Sequence, residues 1–98
     1  MEQPLRAESV KVEQMTGARG RPVPNQFLIY TPRGVYFQSY ESVIAFKSFY
    51  EGKIYLDAFK WDYSKTTGRY RNEFLNESKD ATERKITQGI YQLTDLNK

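Results

Sequence analysis

Residues 26–40 read QFLIYTPRGVYFQSY, and the fold turns on this stretch. Gln26 to Thr31 and Val35 to Tyr40 are rich in β-branched and aromatic side chains, which suit a pleated, half-buried surface. Between them Pro32 presets the first turn position, and Gly34 supplies a residue that can close a turn with positive φ. The stretch is predicted to be a β-hairpin.

Toward the C-terminus a second hairpin follows. VIAFK (Val43 to Lys47) and KIYLD (Lys53 to Asp57) flank SFYEG, where Gly52 suits a loop residue of positive φ. Toward the N-terminus, Ser9 to Met15 alternates Val10 and Val12 with polar residues and predicts one more strand. The Gly/Pro-rich segment Thr16 to Pro24 is expected to be loop, and Met1 to Glu8 a flexible tail without periodicity.

After Trp61 the period changes. In SKTTGRYRNEFL (Ser64 to Leu75), Thr67, Tyr70 and Phe74 recur at helical spacing, which predicts a short amphipathic helix. Gly68 weakens it by about 1 kcal/mol relative to alanine. Trp61 to Ser64 forms a structural corner, with Asp62 or Ser64 as the helix cap. Asn76 or Ser78 can cap a second helix over Lys79 to Gln88, and Ile90 to Leu93 offers a last strand. The expectation is a single α+β domain over residues 9–97, with an antiparallel four- to five-stranded sheet and two short C-terminal helices on one face. Strand parity predicts a core face of Phe27, Ile29, Val35, Phe37, Ile44, Phe46, Ile54 and Leu56. The opposite face then holds Leu28, Tyr30, Tyr36, Gln38, Ala45, Lys47, Lys53 and Tyr55.

Composition narrows the chemistry. The 98 residues include neither cysteine nor histidine. That removes disulfides, thiolate nucleophiles, the commonest metal ligand and the commonest general base. The carboxylate pairs Glu73/Glu77 and Asp80/Glu83 sit among lysines on short helices, where burial and like charge cannot raise a pKa for acid catalysis. Neither an enzymatic activity nor a cofactor is expected. No apolar run is long enough to cross a bilayer and no secretory leader is evident, so the expected location is cytoplasmic, without a membrane partner.

The charge of +3 is unevenly spread: Arg19, Arg21 and Arg33 lie in an acid-free stretch, and Lys60, Lys65, Arg69 and Arg71 stand against Asp62 alone. Arg19 to Pro22 (RGRP) matches the core of a hook that lies in the minor groove of A·T-rich DNA, but lacks the flanking cations of such hooks. Candidate nucleic-acid contacts are Arg19, Arg21, Arg33, Lys53, Lys65 and Arg69, with Tyr36 and Tyr55 as stacking partners. Each has a bland alternative as ordinary strand, loop or helix surface.

GVYFQSY (Gly34 to Tyr40), YLD (Tyr55 to Asp57), WDYSKTTGRYRNEFL (Trp61 to Leu75) and YQLTDLN (Tyr91 to Asn97) together resemble a family of small domains of unknown function found in phages, plasmids and other mobile elements. The resemblance covers roughly residues 22–97 and is most specific in the WDYS block. It implies an α+β fold, a mobile-element origin and hence a bacterial host, and it carries over no catalytic residue. Small proteins of such elements contact nucleic acid or inhibit host defence and replication enzymes. The second expectation is therefore a protein-binding inhibitor of the anti-restriction or anti-CRISPR type, anchored by Phe49 and Tyr50 in a turn that offers them no core.

Overall fold

Thr31 and Gly34 face each other across the Pro32–Arg33 turn of the central hairpin. The Thr31 hydroxyl donates to the Gly34 carbonyl at 3.0 Å and accepts from the amides of Arg33 and Gly34. From this turn the register runs Tyr30↔Val35, Ile29↔Tyr36, Leu28↔Phe37 and Phe27↔Gln38. The computed structural model describes residues 10–98, so the tail expected at residues 1–8 lies outside the described residues.

Six strands lie in sequence order: β1 (Lys11–Thr16), β2 (Pro22–Thr31), β3 (Gly34–Ser39), β4 (Ser42–Ser48), β5 (Ile54–Asp57) and β6 (Tyr91–Thr94). Two helices, α1 (Lys65–Leu75) and α2 (Lys79–Thr87), connect β5 to β6. Because that connection crosses the sheet through helices, β6 pairs parallel to β5, while every other neighbouring pair is antiparallel. The α+β expectation holds, with one strand more than foreseen and a parallel closing pair. Ser64 caps α1 by accepting from the Thr67 amide, and Ser78 caps α2 by accepting from the Ala81 amide. Asn76 instead ends α1 in the left-handed region, at φ 55°.

The loop expected over residues 16–24 is shorter than that, because β2 begins at Pro22. Pairing of β2 with β3 starts only at Gln26, so the overhang meets β1 alone and the missing amides of Pro22 and Pro24 forfeit no bond to β3.

The faces of the sheet also differ from the parity expected, for two reasons. A two-residue turn sets odd residues of β2 opposite even residues of β3, and directly opposed residues share a face. Leu28 and Tyr30 therefore join Val35 and Phe37 on the helix side, while Phe27 and Ile29 go with Tyr36 to the other. Then a bulge in β4 places Ile44 beside Ala45 opposite Phe37, and both are fully buried. Beyond it the alternation is reversed, so that Phe46 opposes Tyr36 outside and Lys47 opposes Val35 inside.

The core consists of Phe37, Ile44, Ala45 and Leu56 roofed by Tyr70, Phe74 and Leu75, with the Phe37 and Phe74 rings 5.7 Å apart. Burying these apolar side chains stabilises the fold by roughly 1.5–3 kcal/mol for each of the large ones. Lys47 reaches up from the sheet to the Phe74 carbonyl and over the Phe74 ring, and its burial pulls the ammonium pKa down. It supplies the cation that the last turn of α1 lacks.

Gly34 has no room for a side chain: a Cβ there would stand 2.0 Å from the Lys47 carbonyl oxygen and 2.7 Å from the Phe46 ring. Gly34→Ala is expected to cost about 2 kcal/mol or more in chemical denaturation. Gly52→Ala meets nothing within 4 Å, and only its φ of +64° opposes it, so its cost should be near 1 kcal/mol.

Candidate functional site

One end of the sheet carries the β1–β2 turn, the β3–β4 turn and the exit of β5. There the Asp57 carboxylate accepts from the amides of Phe59, Lys60 and Leu96, fixing the turn that leaves β5 against the C-terminal segment. Asn97 then pairs twice with the backbone of Val43, through Oδ1 and Nδ2. The Ser39 and Thr67 hydroxyls share a buried hydrogen bond of 2.8 Å, which sets the first turns of α1 over the same end.

Helix α1 has no acidic residue in its first turn, and the carboxylate that lies nearest to its start in the cleft, Asp62, comes from the segment ahead of the Ser64 cap. A cleft of about 510 Å³ opens here, lined by Ser64, Lys65, Gly68, Arg69 and Asn72 of α1 and its cap, by Arg71 beneath them, and by Asp62 and Lys79. Four cations and one carboxylate thus line the cleft. That carboxylate is already engaged: Asp62 Oδ1 accepts from Arg71 at 2.9 Å and Oδ2 from Lys79 at 2.7 Å. Among the described residues, Lys65 and Arg69 have no ion-pair partner. Arg69 lies over the Tyr70 ring at 5.3 Å instead of pairing with Glu73.

Beside the cleft, toward β2, a second depression is lined by Asn25, Tyr40, Glu41, Ser42, Lys60 and Tyr63. Lys60 sits 5.0 Å from the Tyr63 ring centre, and Tyr40 and Tyr63 both expose their rings. Past Asn25 the chain runs into the arginine turn. Arg19 and Gly20 take φ of 67° and 72°, and the Gly17 amide donates to the Arg21 carbonyl at 2.8 Å. The Arg-Gly-Arg unit is therefore a tight connecting turn and not the extended strand of a minor-groove hook.

The structure separates the residues singled out from sequence into three groups. Arg19 and Arg21 share an end of the sheet with Lys65 and Arg69. Arg33 and Lys53 lie at the opposite end, where the Phe49 amide donates to the Arg33 carbonyl, and Phe49 and Tyr50 are 62% and 81% exposed there. Tyr36 and Tyr55 stand on the face of the sheet away from the helices, joined by Phe46, which parity had assigned to the core. Sequence reasoning missed Arg71 and Lys79 as parts of the cleft, and Tyr40, Lys60 and Tyr63 as the surface beside it. Lys79 belongs to a different helix and reaches the cleft only through Asp62, so no spacing in the chain announces it.

Two carboxylates are held in their charged form. Burial opposes ionisation of Asp62, but hydrogen bonds from Lys79 and Arg71, with their charges, outweigh it and lower its pKa. At Glu77 burial is likewise outweighed, by hydrogen bonds from Lys85, Thr82 and Tyr91 that tie the α1–α2 link to α2 and β6. No grouping of three or more potential metal ligands occurs among the described residues. No helix among them is long and apolar enough to cross a membrane.

A family model described as a family of unknown function (DUF8033) matches residues 10–92. No curated protein and no solved structure matches the chain.

The depressed carboxylates fix a pH dependence. A group whose pKa falls on folding stabilises the protein above its unfolded pKa and loses that contribution as pH drops through the folded value. The denaturation midpoint should therefore hold at neutral pH and fall below about pH 4, and Glu77→Gln should remove part of that acid dependence while lowering stability at neutral pH.

Proposed function

The chain belongs to the DUF8033 family, which brings no activity with it, and we propose that it is a non-catalytic protein that contacts the phosphate backbone of nucleic acid with the end of the sheet that carries α1. The observation that carries this reading is the placement of Lys65 and Arg69, without ion-pair partners among the described residues, on a cleft whose one carboxylate, Asp62, is held by Arg71 and Lys79. Cations that are not neutralised by the protein are available to phosphates. In this reading the footprint extends through Lys60, Tyr40 and Tyr63, past Glu41, toward Arg19 and Arg21 at the same end of the sheet. Cations interleaved with exposed aromatic rings suit an unpaired strand, whose bases can stack while its backbone follows the charge. The likeness to small mobile-element domains adds the setting: an accessory protein of a phage or related element, acting in the cytoplasm of its bacterial host.

A second reading keeps one specific observation: Phe49 and Tyr50 project from the β4–β5 loop with most of their surface exposed. Bulky aromatics in that position are anchors for a protein, consistent with an inhibitor of a host defence or replication enzyme.

Fluorescence anisotropy with labelled single-stranded and duplex oligonucleotides over a salt series tests the first reading. If about three cations neutralise phosphates, log K should fall with log salt at a slope of roughly −2 to −3. Lys65→Ala and Arg69→Ala should each weaken binding and flatten the slope by about one, whereas Arg33→Ala and Lys53→Ala should leave both unchanged. Affinity that does not respond to salt would end this reading. Equal losses from substitutions at both ends of the sheet would end the assignment to the cleft. Phe49→Ala and Tyr50→Ala should not alter oligonucleotide binding.

A further inference from the structure

On the side of the sheet away from the helices, one rung runs straight across the strands: Val12, Ile29, Tyr36, Phe46, Tyr55 and Gln92 oppose one another in register. The Tyr36 and Phe46 rings stack 4.2 Å apart at 23°, and Phe46 and Tyr55 lie 6.3 Å apart at 24°. Phe27, Gln38 and Val43 form a second rung beside the first. No described helix packs on this face; at its Asp57 corner the backbone of Phe59, Lys60 and Leu96 buries the carboxylate, and across the rung the side chains remain partly exposed, Val12 as much as 59%.

Its charge is what distinguishes it. The chain is 28% Asp, Glu, Lys and Arg, yet the outward positions of the six strands carry no cation and only one carboxylate, Asp57, which is committed to backbone amides. An ordinary wetted sheet face alternates apolar residues inside with charged ones outside. A face meant for nucleic acid would carry cations, and here the rings of Tyr36 and Phe46 already cover one another, so that they turn edges to the outside.

We propose that this face is covered by the same face of a second copy of the chain, two sheets packing to form a sandwich across a twofold axis. An isologous interface must complement itself, and a face whose strands carry no cation, and whose nearby carboxylates Asp57 and Glu51 already accept hydrogen bonds from backbone amides and from the Tyr55 hydroxyl, does so without setting cations together or burying an unpaired one. The size fits as well: six strands about 4.8 Å apart and roughly 20 Å long give about 1,000–1,200 Å² for the two faces, which reaches the area of a specific interface. Sheets aligned in this way interdigitate side chains across about 10 Å, and the Tyr36–Phe46 ridge offers the relief to do so. This assembly leaves the cleft at α1 free, because the helices lie on the opposite side, and it does not depend on the proposed contact with nucleic acid.

Sedimentation equilibrium on the full chain over a wide concentration range reads it directly, with dimer expected at micromolar concentration. Val12→Lys and Ile29→Lys each place a cation in the interface twice and should weaken the dimer at least tenfold while the far-ultraviolet circular dichroism is unchanged. The absence of cysteine permits a second measurement that does not depend on those variants folding. A single cysteine at Ile29 should be joined to its copy by a short bismaleimide, and one at the exposed Asp80 of α2 should not. A wild-type chain that stays monomeric, a dimer indifferent to both lysines, or crosslinking through Asp80 but not Ile29 would overturn the proposal. So would a chain that dimerises only when residues 1–9 are removed, since that segment would then be the occupant of the face.

Discussion

A buried guanidinium organises the functional end of this protein. Arg71 is 1% exposed, and its Nη1 donates to the Trp61 carbonyl and to Asp62 while Nη2 donates to Asn72. A charge taken out of water is costly unless its donors are met, so the chain must bring acceptors to it. That requirement draws residues 61–62 down onto α1, and the Trp61 ring lies against the same guanidinium at 5.2 Å. The second oxygen of Asp62 then holds Lys79, the first residue of α2. Gly68 completes the arrangement: a side chain there would touch both terminal nitrogens of Arg71 at about 3.5 Å and fill the floor of the cleft. The glycine that weakens α1 as an isolated helix leaves that floor open.

The sheet below is divided by the bulge at Ile44. One inserted residue lets Ile44 and Ala45 both pack under α1 and reverses the strand beyond them, which sends Lys47 inward and Phe46 outward. A lysine on the core side is tolerated because its ammonium reaches the carbonyl end of α1 and lies over the Phe74 ring. The reversal also assembles the uncharged outer rung, since Phe46 is the link between Tyr36 and Tyr55. A single local irregularity thus shapes both the core and the face opposite to it.

Three surfaces with different chemistry result: a basic end with exposed tyrosines, an apolar sheet face without cations, and an aromatic loop at the far end. Several of the residues that mark the family likeness maintain the scaffold of these surfaces. Asp57 of the YLD segment and Asn97 of the C-terminal segment bind backbone groups, Ser64 caps α1, and Asp62 and Arg71 pair with each other. The cations that remain free to meet a partner, Lys65 and Arg69, sit between those fixed points.

Local regularities sufficed to read the elements from sequence: turn residues at Pro32 and Gly34, the switch of period after Trp61, and serines ahead of both helices. Those signals act over a few residues and need no partner. The grouping of Lys65 with Arg69 was also legible, since four residues bring side chains to one helical face. Which face of the sheet is covered, that Lys79 joins the cleft, and that the start of α1 stands at the end of the sheet that carries Arg19 were decided only in three dimensions. Each depends on register and on pairing between segments far apart in the chain. A shift of one residue moves every side chain of a strand to the other face, and no local propensity records it.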